Sequence, residues 1–220
     1  MNLNNVEARA FGDTHEVALK MLEDLRGGHV LDIAAGEGRL SYLLLQMGFT
    51  VTAADAQTAQ FKIDGINIDK ADLNGRLPYE DEKFDCVVCV ETFEHVRNPG
   101  TCLGEFLRIL KPGGRLILST PNITSLISRL IFLFSGQYAN FFDTGASCVD
   151  RNGQDRHIMP LPSWLLERYL KASGFSINAV KYSNGGLEIP TKKRPWKKLV
   201  FLPHSRLTGN SIVIDARKTR

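Results

Sequence analysis

The stretch Val30-Leu31-Asp32-Ile33-Ala34-Ala35-Gly36-Glu37-Gly38 decides the fold. Its apolar opening, from His29 to Ala34, reads as a strand, and the small residues after it let a ligand approach the backbone before a helix begins. That helix is expected from about Arg39 to Met47, and Thr50 to Ala54 supplies the next strand, so the segment is a βαβ unit. A crossover of this kind makes the two strands parallel. The glycine spacing alone is ambiguous: Gly36-Glu37-Gly38-Arg39-Leu40-Ser41 approximates the dinucleotide fingerprint G-x-G-x-x-G, with Ser41 in place of the third glycine.

Working outward, Asp13-Thr14-His15-Glu16 resembles a capping box, followed by Val17, Met21 and Leu25 at helical spacing and the stop Gly27-Gly28. Further strands are expected at Ile66 to Asp69, Phe84 to Val90 and Arg115 to Ser119, with a helix from about Gly100 to Leu110 broken by Lys111-Pro112-Gly113-Gly114. Pro162 to Ala172 reads as a helix capped by Ser163. Gly174-Phe175 to Tyr182 and Asn210 to Ala216 read as the last two strands. Alternating strands and helices predict a doubly wound α/β fold, whose ligands bind beyond the carboxyl ends of the strands.

A chain of 220 residues, 43% hydrophobic and 23% charged, is expected to form a single globular domain over 1–220. Cys86, Cys89, Cys102 and Cys148 do not make a secreted disulfide framework, and the first residues lack a signal-peptide pattern, so a cytoplasmic setting is expected. Cys86 and Cys89 form C-x-x-C, but on a strand side chains three apart point to opposite faces, which speaks against a zinc or redox pair. The net charge of +3 is uneven: residues 181–220 hold ten Lys or Arg against two acids, net +8, leaving −5 on the rest.

Asp55 ends the second strand about twenty residues beyond the glycines, where an acid accepts hydrogen bonds from both ribose hydroxyls of a nucleotide cofactor. Asp72, in Ala71-Asp72-Leu73, follows the third strand and reads either as an acceptor for an adenine amino group or as a turn residue.

Together Asp32, the Ala34/Gly36/Gly38 loop, Asp55, Ala71-Asp72-Leu73, the strand from Phe84-Asp85 to Glu91, and Leu110-Lys111-Pro112-Gly113-Gly114 resemble the class I S-adenosylmethionine-dependent methyltransferases. The resemblance covers roughly Val30 to Asn122. It implies a doubly wound, mostly parallel seven-stranded Rossmann-like sheet with an antiparallel final strand, and S-adenosylmethionine as cofactor. It also implies that the loop with Asp32 faces the methionine part, Asp55 holds ribose, Asp72 and Leu73 contact adenine, and Glu91 completes the cofactor site. Ala34 departs from the glycine often found at its position and is read as a tolerated variation.

Methyl transfer from a sulfonium is an in-line displacement, so acceptor residues are expected just past the fourth strand. There lie Glu91, Glu94 and His95, in Val90-Glu91-Thr92-Phe93-Glu94-His95-Val96. This E-x-x-E-H resembles ubiquinone-pathway O-methyltransferases and the 3′-terminal methyltransferases of small RNAs, in which such a cluster with a later histidine binds a divalent metal. His157 would be that histidine, giving Glu91, Glu94, His95 and His157 as a candidate metal set. The metal-free alternative makes Glu94, His95 and His157 the catalytic or acceptor-positioning groups.

Residues 121–160 form an insertion whose middle, Ile123 to Phe134, is nearly all apolar. Twelve residues do not span a bilayer, which takes about twenty. Ile123 to Phe142 is expected to be an apolar cap over the acceptor, with Leu126, Ile127, Leu130, Ile131 and Phe134 on one face, and an ordinary buried helix is the alternative. This insertion and the basic stretch Lys192 to Lys198, with Trp196, also suit peripheral contact with a membrane. The expected activity is O-methylation of a small or lipid-like metabolite, such as a quinone precursor or lipid-linked saccharide. An RNA methyltransferase, a non-catalytic cofactor-binding subunit and a nicotinamide-dependent oxidoreductase remain as rivals, and the acidic remainder of the chain argues against a nucleic-acid partner.

Overall fold

A computed structural model describes residues 6–7, 10, 12–141, 157–183, 188–191, 194–198 and 205–219. Its elements in chain order are α1 (Thr14–Lys20), β1 (His29–Ile33), α2 (Arg39–Gln46), β2 (Thr50–Asp55), β3 (Ile68–Lys70), β4 (Phe84–Cys89), α3 (Pro99–Ile109), β5 (Leu110–Pro121), α4 (Leu126–Ser135), α5 (Ser163–Ala172), β6 (Phe175–Ser183), β7 (Glu188–Thr191), β8 (Arg194–Lys198) and β9 (Ser211–Lys218). A seven-stranded sheet has the order β3-β2-β1-β4-β5-β9-β6. β1 is parallel to β2 and β4, whereas β9 runs antiparallel between β5 and β6. The expected doubly wound sheet with one antiparallel final strand is therefore present.

The central strands are continuous apolar runs because helices cover both faces of the sheet. Cys86 packs with Val30 and Val88 in one layer, and Cys89 packs with Leu31 and Val87 in the other, so the C-x-x-C is split across the sheet as the strand periodicity requires. Burial raises both thiols far above their ordinary range, which leaves them inert.

Several local expectations change. α1 ends at Lys20 and is continued by turns, and its N-cap Asp13 makes no side-chain capping bond. Ser163 is the first helical residue of α5, behind an N-cap at Pro162, so it does not cap the helix. The break after α3 lies inside a longer β5, which absorbs Lys111 to Gly114 as an irregularity in its pairing with β4. Part of the basic stretch Lys192 to Lys198 is strand β8, paired with β7, while Lys192 and Lys193 lie outside the described residues. So do Phe142 and Cys148. Strand order reverses between β1 and β4, which opens a crevice beyond their carboxyl ends.

Candidate cofactor and acceptor site

That crevice is a cavity of about 520 Å³, the size of a pocket for a small organic ligand. Its walls include Asp32, Ala34, Gly36, Asp55, Asp72, Leu73, Glu91, Glu94, His95 and His157. Gly38 alone of the expected set is not among the lining residues. Its glycine is required for packing: φ is +94°, and a Cβ would meet Ile63 at 2.5 Å and Phe61 at 2.6 Å.

At one end, β1 delivers Asp32, which is 1% exposed and receives the Ser41 hydroxyl at 2.5 Å. Burial pushes its carboxyl up to about 7. Asp55 at the end of β2 accepts the Gly36 amide at 2.9 Å on Oδ2 and the Gln57 amide at 2.8 Å on Oδ1. Two backbone donors thus hold a carboxylate in place and leave further lone pairs for a ligand hydroxyl. Asp72 accepts the Asn74 amide at 2.9 Å, which is the turn role expected of it, and it also lines the cavity.

The opposite end is built after β4. Glu91 adopts φ +50°, an unfavourable region for a side-chain-bearing residue, which signals a constrained position. Its amide donates to Ser119 Oγ at 2.8 Å, and the Ser119 hydroxyl returns a bond to its Oε1 at 2.9 Å. Burial raises this carboxyl to about 7. Glu94 is 1% exposed, and burial, with the Glu91 charge adding to it, raises its carboxyl well above the carboxylate range. The Thr120 hydroxyl and the Glu94 amide lie near enough to oppose that shift, but neither carboxylate oxygen makes a well-formed hydrogen bond.

The chain returns to this place after residue 156, because the Ile158 and Met159 amides both donate to the Glu94 carbonyl, at 3.0 and 2.9 Å. His157 is thereby set with its Nε2 3.7 Å from Glu94 Oε1 and its ring 4.7 Å from that of His95. Burial and the neighbouring His95 lower it to about 4, so it is neutral at pH 7. Ligand atoms of Glu94, His95 and His157 lie within 4.8 Å of one another. Glu91 lies outside this cluster, its carboxyl engaged by Ser119.

His15 and Arg39, absent from the expected set, also line the cavity. His15 Nδ1 is buried without a hydrogen-bond partner, and its pKa falls to about 4 through burial and then the Arg39 charge. The sequence signal was present in Asp13-Thr14-His15-Glu16, where it reads as helix capping.

The insertion departs furthest from expectation. None of residues 123–141 lines the cavity. Within α4 only Ser128 is fully buried, and Leu126, Leu130 and Phe134, expected to share one face, are exposed.

Residues 5–180 match the family model described as a methyltransferase domain. The mitochondrial ubiquinone biosynthesis O-methyltransferase of Schizosaccharomyces pombe is 31% identical over 169 residues, 72% of this chain and 55% of its own length. The ubiquinone biosynthesis O-methyltransferase of Pseudomonas fluorescens (strain Pf0-1) is 34% identical over 108 residues, 45% of this chain and 47% of its own, so the chain spans about half the length of these relatives. A putative methyltransferase of Bacillus halodurans aligns with a TM-score of 0.66 at 18% identity, covering 95% of this chain and 100% of its own. The 1,6-didemethyltoxoflavin-N1-methyltransferase of Burkholderia thailandensis, solved with its substrate and S-adenosylhomocysteine, gives 0.58 at 19% identity, covering 94% and 79%. The family match over most of the chain, on this sheet order and this cavity, places the protein among the class I S-adenosylmethionine-dependent methyltransferases.

Proposed function

We propose that this chain moves the methyl group of S-adenosylmethionine onto a hydroxyl oxygen of a small, partly apolar acceptor, and that the acceptor binds between Glu91 and the Glu94/His95/His157 cluster. The whole chain is read as one methyltransferase domain, with 121–160 as an insertion on the acceptor side. The order of groups along the cavity supports a single cofactor orientation. Adenine lies against Asp72 and Leu73, and ribose lies on Asp55. The methionine ammonium faces Asp32, and its carboxylate faces His15 and Arg39. The sulfonium methyl then points toward Glu91 and the cluster.

The observation that carries the acceptor assignment is Glu94, a buried carboxyl whose oxygens make no well-formed hydrogen bond. Such a group costs about 1–3 kcal/mol of unmet hydrogen bonding, which a bound hydroxyl relieves. In the reaction the acceptor oxygen forms a bond to the methyl carbon while the carbon–sulfur bond breaks. The sulfur keeps the electron pair and leaves as neutral S-adenosylhomocysteine, and the hydroxyl proton passes to His95 or to the Glu94–His157 pair.

The same three side chains fit a divalent ion, since a carboxylate without a well-formed hydrogen bond and a neutral His157 beside His95 form a mixed N/O donor set. Glu94, His95 and His157 would hold it, and it would lower the pKa of an acceptor hydroxyl. The names of the relatives favour a hydroxylated quinone precursor as the acceptor. Calorimetric titration with S-adenosylhomocysteine and with NAD, followed by a screen of phenolic acceptors with and without chelator, tests the reading. Tight binding of NAD and none of S-adenosylhomocysteine would overturn it.

A further inference from the structure

Helix α4 stands apart from the rest of the surface. Seven of its ten residues are large and apolar, yet Leu126 is 54% exposed, Leu133 71% and Phe134 86%. The helix is nonetheless firmly seated. Ser125 caps its N-terminus, Ser128 Oγ accepts the Ala139 amide at 3.2 Å, Phe132 stacks on Tyr138 at 4.6 Å, and the Leu126 amide donates to the Leu207 carbonyl at 2.8 Å. A fixed helix that keeps its apolar side chains in water marks an interaction surface. The cavity does not supply the missing cover, because α4 does not line it.

We propose that α4 is an interfacial element that seats the protein on an anionic lipid surface. Charge selects this partner. No Asp or Glu occurs from residue 106 to residue 142, whereas Arg129 on the helix and Arg206, next to the exposed Leu207, are both exposed cations at this face. Apolar side chains flanked by cations suit the boundary between headgroups and acyl chains. A second copy docked face to face would bring the same cations together, which disfavours that cover. At ten residues α4 is about 15 Å long, half of a hydrocarbon core, so it lies in the interface and does not cross it. Among the described residues no helix is long and apolar enough to span a membrane.

The position connects to the acceptor end. Behind α4, Tyr138 leads to Phe141, whose ring lies 5.3 Å from that of His157. Provided that the acceptor reading above holds, an acceptor dissolved in the lipid layer reaches the cluster along this side.

Flotation of the full chain with vesicles tests the proposal. Binding is expected to vesicles of phosphatidylcholine containing about 30% phosphatidylglycerol, and much less to phosphatidylcholine alone. Leu133→Ser with Phe134→Ser should weaken partitioning at least about ten-fold (about 1.4 kcal/mol), with melting temperature and S-adenosylhomocysteine affinity unchanged because both side chains are exposed. Arg129→Gln should lower binding to the anionic vesicles alone. The proposal is overturned if the wild type does not float, or if the double variant floats equally well. It is also overturned if the wild type sediments as a dimer and the variant as a monomer, neither binding vesicles. Vesicle binding is measured without cofactor, so its failure is separate from failure of S-adenosylhomocysteine titration, which would sink the reading of the cavity.

Discussion

Asp55 and Glu94 are buried carboxyls on the walls of one cavity, and their surroundings are opposite. Asp55 is held by two backbone amides, whereas Glu94 has only the Thr120 hydroxyl and its own amide nearby and no well-formed hydrogen bond. The cofactor end is thus organised by main chain before any ligand arrives, with Gly36 and Gln57 presented by the turns after β1 and β2. At the other end Glu91 is held by Ser119, while Glu94 Oε1 and Oε2 and His157 Nδ1 are buried outside any well-formed hydrogen bond. A preorganised end is expected to set affinity, and an unsatisfied end to set rate.

The largest expected effect falls on the acceptor end. Glu94→Gln keeps the shape and removes the ionisable group, so turnover should fall by about 10²–10⁴, the usual value of a positioned acid or base. S-adenosylhomocysteine affinity should stay within about two-fold, since no cofactor contact is assigned to Glu94. Near-normal turnover in this variant would collapse the contrast between the two ends.

Asp55→Ala comes next and should act on binding. Two ribose hydroxyls lose a charged acceptor, which should weaken S-adenosylhomocysteine by about 1.5–3 kcal/mol in calorimetry. The Gly36 and Gln57 amides lose their acceptor as well. A fall in melting temperature is therefore expected beside the affinity loss, and Asp55→Asn should recover part of both. Unchanged affinity would remove the ribose assignment.

The third expectation concerns pH. Burial raises Asp32 to about 7 in the folded protein, above its unfolded value near 3.9, so the folded state binds the extra proton between these limits. Its contribution to stability is therefore present below the unfolded value and is lost as pH rises through about 7. A bound methionine ammonium favours the ionised carboxylate and drives that proton off. Cofactor affinity should then rise between about pH 5.5 and 7.5, and the binding heat near pH 6.5 should depend on the buffer's ionisation enthalpy. Asp32→Asn should abolish the buffer dependence; if it persists, the released proton belongs to another group.

The smallest effect sharpens the comparison at Ala34, whose φ is +64°. Left-handed backbone costs a side-chain-bearing residue about 1–2 kcal/mol, of which glycine's greater freedom in the unfolded chain takes back about 0.5–1. Ala34→Gly should raise stability by about 0.5–1 kcal/mol in denaturant unfolding. A loss would show that the Ala34 methyl makes a packing contact worth more than the strain.

Much was legible in the sequence because it is local. Strand and helix periods, the glycine turn after β1 and the acids that end β1 and β2 follow from residue type and spacing. Spacing alone also put Cys86 and Cys89 on opposite faces. Glu91 was grouped with Glu94, His95 and His157 through the E-x-x-E-H resemblance, and Ser119, twenty-eight residues on, engages its carboxyl. His15 reads as part of a helix start until α1 is folded against the cofactor cavity. In α4, periodicity correctly gave a helix and could not say which side the domain would cover. The amino-acid sequence by itself determined a doubly wound α/β chain with a nucleotide-type crevice, since hydrophobic period and turn chemistry act over a few residues. Only the tertiary structure decided which carboxyl is satisfied, which histidines meet and which apolar face stays in water. Those outcomes depend on contacts between segments far apart in the chain, where desolvation and hydrogen-bond competition are resolved only once the sheet has formed.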